Sequence, residues 1–66
     1  MEDRVWRRTL EEADYCLNVQ GATIAEVARR FDVSESTVRR DLTNNLARIN
    51  PQLHNEVRKR LMLNQK

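Results

Sequence analysis

Ser36, Arg39, Arg40 and Thr43 place two guanidinium forks and two hydroxyls in one short stretch, at the three-, four- and seven-residue intervals that share a helix face. Such side chains suit recognition more than catalysis. A guanidinium can pair with two acceptors at once, as guanine O6 and N7 allow in a major groove, and a threonine methyl can touch a thymine methyl. Ser34 and Thr37, with the free amides of a helix N-terminus, suit phosphate oxygens. Glu35 can accept from a cytosine amine or hold Arg39 one helical turn away, and the i, i+4 spacing favours the second role. Arg58, Lys59 and Arg60 form another basic group. It can grip a phosphate backbone, or simply complement a helix C-terminus and keep the surface soluble.

Catalysis needs a constellation that the chain does not contain. His54 is the single histidine, with no cysteine or second histidine to form a metal site and no nucleophile near it in sequence. The lone Cys16 excludes an internal disulfide and a cysteine metal cluster. It falls close to the apolar face of the first helix, where it reads as a small buried hydrophobe. The expectation is a non-enzyme with no metal, no cofactor and no small-molecule ligand.

The elements that must position these residues are helical. Thr23 followed by Glu26 is a capping box that starts a helix at Ile24, and Ile24, Val27, Ala28 and Phe31 form one apolar stripe. Ala28 is small enough to let a second helix cross closely. Asp32-Val33 interrupts the pattern, with Asp32 at a turn position that needs positive φ, and Ser34 caps the next helix. On that helix, residues 34–48, Val38, Leu42, Asn45/Leu46 and Ile49 cluster on one side. The opposite side carries Ser36, Arg40, Thr43 and Ala47. Cap, turn, small residue and basic face agree in register with a helix-turn-helix over residues 23–46, whose second helix enters a major groove.

Two flanking helices complete the reading. Glu2 or Asp3 can cap the first, in which Val5, Trp6, Leu10, Ala13 and Leu17 are spaced for the core, with Thr9 and Cys16 beside them. Trp6 is expected to anchor this helix to the others. Arg7 and Arg8 can pair with Glu11 and Glu12 on a solvated face. Gly21 should let the chain turn left-handed after a helix ending near Val19 or Gln20. Asn50-Pro51 opens a C-terminal helix, about residues 51–64, with Leu53, Val57 and Leu61 as its apolar edge.

The 66 residues therefore predict one all-α domain, residues 1–66, a small helix-turn-helix bundle of three helices plus a fourth at the C-terminus. No apolar run can span a membrane, and no signal peptide is expected before the charged N-terminus; a reducing cytoplasm is the consistent compartment. Net charge is only +2, but its distribution is uneven. Residues 1–35 carry five Arg against eight Asp and Glu, whereas residues 36–66 carry seven Arg and Lys against two acids. A one-sided nucleic-acid surface requires that asymmetry.

These residues also carry a resemblance. Arg8-Thr9, Tyr15, Thr23, Ala28, Phe31, Val33-Ser34, Ser36-Thr37-Val38 and Asp41-Leu42 resemble the stage III sporulation protein D family of bacterial transcription regulators. Ile49-Asn50-Pro51, Leu53 and Asn55-Glu56-Val57 extend the likeness past the generic motif. The run Thr37-Val38-Arg39-Arg40-Asp41-Leu42 is also similar to the N-terminal domain of sugar-operon repressors of the deoxyribose type. The first resemblance implies double-stranded DNA as partner, binding as a monomer, a basic C-terminal segment as second contact, and a place on the bacterial nucleoid. The chain departs from the family pattern at Asp32, where the family has Gly, and at Glu35, where it has a basic residue; its basic tail is also shorter, ending at Lys66. A redesigned DNA binder on a similar scaffold would share these features. The alternative from another class is a helical protein-interaction module without nucleic acid, which would expose an apolar patch.

Overall fold

In the computed structural model, residues 2–64 are described, with side chains through Leu61. Four helices follow one another, with no strand among these residues. Helix α1 spans Asp3–Asn18, α2 Ile24–Phe31, α3 residues 35–49 and α4 Pro51–Asn64. The all-α expectation holds. No helix among the described residues is long and apolar enough to cross a membrane.

The local signals act as their chemistry dictates. Thr23 accepts from the Glu26 N–H at 3.2 Å, and Asn50 Oδ1 accepts from the Leu53 N–H at 3.1 Å ahead of Pro51. Glu2 takes the cap position of α1 without a side-chain bond, so this helix opens on the charge of Asp3 in its first turn. It ends at Asn18, just short of the expected residues, and Gly21 supplies the left-handed step at φ 80°.

Asp32 adopts φ 56° and ψ 48°, and Val33 N–H donates to Ala28 C=O at 3.0 Å, closing α2 with a six-to-one bond. A left-handed Asp is strained relative to Gly. Asp32→Gly should therefore raise stability by roughly 0.5–1 kcal/mol, net of the flexibility that glycine adds to the unfolded chain. Thermal melts of both proteins check this, and a lower midpoint for the variant would mean that the carboxylate stabilises the turn.

All four helices contribute to one core. Ala13 and Cys16 come from α1; Ile24, Val27 and Ala28 from α2; Val38, Leu42 and Leu46 from α3; Val57 and Leu61 from α4. Burial pushes the Cys16 thiol up to about 11, which keeps it protonated and unreactive, as a small buried hydrophobe should be.

Helix α1 differs from its sequence pattern. Trp6 is 46% exposed and anchors nothing in the core, whereas Thr9, Glu12, Ala13 and Cys16 are fully buried. Ala13 joins the core and Leu10 and Leu17 pack against it as their spacing predicts, so the departures are Trp6, turned outward, and Glu12, turned in. Ala13 and Cys16 are core residues, and Glu12 lies beside Asp41 of α3 instead of in solvent. Trp6 lies in an outer groove with Leu10, Tyr15 and Phe31. There the α1–α2 contact is an edge-to-face pair, Tyr15 against Phe31, with ring centroids 6.0 Å apart.

Helix α3 is not uniform either. Glu35–Arg40 and Leu46–Ile49 are α-helical, but Asp41–Asn45 between them is a π turn, in which Leu46 N–H donates to Asp41 C=O. Val38, Asp41, Leu42 and Leu46 are buried, and Ala47, expected on the outer face, is half-buried.

Candidate nucleic-acid interface

The N-terminus of α3 is capped by Ser34, whose Oγ accepts from the Thr37 N–H at 3.1 Å. The two hydroxyls lie 2.9 Å apart and share a hydrogen bond. They stand beside the free amides of the first turn, where the helix dipole favours an anion.

Beyond the cap, Ser36, Arg39, Arg40 and Thr43 are all exposed. Arg39 Nη2 lies 4.0 Å from Glu35 Oε1, the i, i+4 contact that the spacing favoured. Both groups are more than half exposed, so the contact orients Arg39 weakly and adds little stability. Thr43 Oγ1 donates to Arg39 C=O at 2.6 Å. Its one hydroxyl proton is thus engaged with the main chain, and the methyl group is what remains for an apolar contact.

The three basic residues of α4 separate. Arg58 lines a groove between α3 and α4 together with Arg39, Thr43 and His54, over a floor that includes Leu42 and Val57. Lys59 is exposed, two residues past the buried Val57 and so on the side of α4 away from the core. Arg60 goes elsewhere. Its Nη2 donates to Leu17 C=O at 2.7 Å, satisfying a carbonyl in the last turn of α1. The expected triple cluster is therefore one residue beside α3, one facing outward and one joined to α1. Lys66, at the end of the basic tail, lies outside the described residues.

The stage III sporulation protein D family model matches residues 2–66. This chain belongs to that family. A member from Bacillus subtilis (strain 168), Stage III sporulation protein D, is 41% identical over 58 residues, which cover 88% of this chain and 61% of that protein. The chain thus spans less than two thirds of its relative's length. No solved structure matches.

Beneath the exposed face, this stage III sporulation protein D family member holds a polar cluster that sequence spacing did not reveal. Arg8 Nε donates to Asp41 Oδ2 at 2.8 Å and Arg8 Nη2 to Asp41 Oδ1 at 3.3 Å. Asn45 Nδ2 donates to Asp41 Oδ1 at 2.8 Å. Arg8 also lies 3.7 Å from Glu12, the expected i, i+4 pair, but Asp41 is the closer partner. Glu12 is fully buried and neither of its oxygens accepts a hydrogen bond. Burial first, and then the neighbouring Asp41 carboxylate, push the Glu12 carboxyl up to about 8, against the opposing pull of Arg8.

The sequence did hold a trace of this cluster. Glu12 sits between Thr9 and Cys16 at helical spacing, and Asp41 precedes Leu42 on the core side of α3. Neither acid was recognisable as buried until α1 and α3 met. Among the described residues, no group of three or more His, Cys, Asp or Glu side chains is placed to hold a metal ion.

Proposed function

We propose that the chain is a sequence-specific double-stranded DNA-binding domain of the transcription-regulator type, acting as a monomer on chromosomal DNA in the cytoplasm. Membership of the stage III sporulation protein D family extends the proposal to sporulation genes. The observation that carries it is the outer face of α3, where a capped N-terminus leads into exposed Ser36, Arg39, Arg40 and Thr43, with Arg58 across the adjoining groove. In this reading α3 lies in the major groove. Ser34 and Thr37 meet phosphate, Arg39 and Arg40 pair with guanine, Ser36 reaches a base edge and the Thr43 methyl meets thymine. Arg58 and Lys59 supply the second grip on the backbone. Arg60 holds the end of α1 and is left out of that grip.

The alternative, a protein-interaction module, has one observation in its favour. The half-exposed Trp6 borders an apolar groove. That groove is built from α1 and α2 and leaves the polar face of α3 unexplained.

Selection of a bound site from random duplexes separates the two readings, since a protein-interaction module enriches no sequence. Arg40 has no ion pair among the described residues and faces away from the core. On the selected site, Arg40→Ala should cost about 1–3 kcal/mol, and much less on unrelated DNA. Equal losses on both duplexes would make Arg40 a backbone contact and move base reading to Arg39 or Ser36.

A further inference from the structure

In a straight α-helix, residues eight apart do not fall on one line along the axis. At 3.6 residues per turn, Arg40 and Arg48 would diverge by about 80°. The π turn at Asp41–Asn45 changes this. Its i→i+5 bond holds one more residue than an α-turn, so side chains beyond it lag by one residue's rotation, roughly 100°. Burial follows the shifted phase. Asn44 and Arg48 are exposed along with Arg40, while Ala47, which a straight helix would point outward, is half-buried. Arg40, Thr43, Asn44, Asn45, Ala47 and Arg48 line one shallow furrow along α3.

The turn is held from two sides. Asn45 donates to the Asp41 side chain within it, and Arg8 reaches the same carboxylate from α1 with two N–H groups. The distance along the axis also fits a purpose. Eight residues of helix rise about 12 Å, close to the width of a B-DNA major groove. A helix with Arg40 over the base edges thus carries Arg48 to the groove's rim, where the phosphates are.

We propose that the π turn sets the register of an extended DNA-facing stripe, in which Asn44 meets a base edge and Arg48 a flanking phosphate. An Asn amide pairs with adenine N6 and N7, and a guanidinium with phosphate oxygens. This inference rests on the DNA-binding reading and adds Asn44, one turn on from Arg40, and Arg48, which the plain helical period turns aside.

The test measures binding of the wild-type chain and three single variants, Arg40→Ala, Asn44→Ala and Arg48→Ala. Each is titrated against the selected duplex and an unrelated one over a salt series, with helicity checked by circular dichroism. Arg48→Ala should weaken both duplexes by about three- to tenfold and lower the slope of log K against log salt by about one. Asn44→Ala should weaken only the selected duplex, by about five- to a hundredfold. Should Arg48→Ala bind like wild type while Arg40→Ala loses affinity, the stripe ends at Thr43 and the inference is overturned with DNA binding intact. Failure of the wild-type chain to bind any duplex would overturn both readings.

Discussion

Arg8→Ala should destabilise the domain by about 3–5 kcal/mol, near the lower end of that range. Asp41 is 1% exposed, and Arg8 meets it with two nitrogens, at 2.8 and 3.3 Å. Truncating Arg8 removes the favourable half of the pair, while the cost of burying the Asp41 carboxylate remains. Asn45 would be the one donor left to it, and Glu12 would still stand beside it. Because the Arg8 side chain is 27% exposed, water can enter the space it leaves, which moderates the loss. Small domains hold only about 5–15 kcal/mol in total, so the variant should lose a large fraction of its stability. Arg8→Lys keeps the charge without the fork and should fall between the two. Urea unfolding followed by circular dichroism gives all three values. A loss below about 1 kcal/mol would mean that the cluster behaves as an exposed ion pair.

Stability should fall as the pH is raised from about 5 to about 8, and Glu12→Gln should flatten that fall. Glu12 keeps its proton up to about 8 in the folded domain, against an ordinary value of 4.5. Between those values the folded state binds the additional proton, so each step upward in pH favours unfolding. The contribution of Glu12 is complete below 4.5, drains away across the window and is gone above about 8. The slope is at most about 1.4 kcal/mol per pH unit, that of one proton. A glutamine keeps the size of the side chain and an N–H for Asp41 but has nothing to titrate. Denaturant midpoints for both proteins at half-unit steps from pH 4.5 to 8.5 make the comparison. If the glutamine variant keeps the wild-type slope, the proton belongs to another group.

What the sequence by itself determined is local. Thr23, Ser34 and Asn50 each cap a helix through a bond to an N–H three residues ahead, so the motif and the bond lie in the same short window. The left-handed step at Asp32 is equally local, as are the stripe of Ile24, Val27 and Ala28 and the exposed run Ser36, Arg39, Arg40 and Thr43. The family was legible for the same reason, since its marks are short runs of residues. The tertiary structure decided which way α1 faces. Rotating an amphipathic helix by one residue exchanges neighbouring faces, and the pattern scarcely distinguishes a core containing Trp6 from one containing Glu12. The partner made the choice, because the buried Asp41 of α3 is paired by Arg8 on this side of α1. Likewise, Arg60 left the basic cluster because the end of α1 offered a free carbonyl. The π turn is also tertiary. A fixed period of 3.6 carried through α3 turns Arg48 aside, whereas the added residue of the turn, held by Arg8 and Asn45 on Asp41, brings Arg48 into line with Arg40.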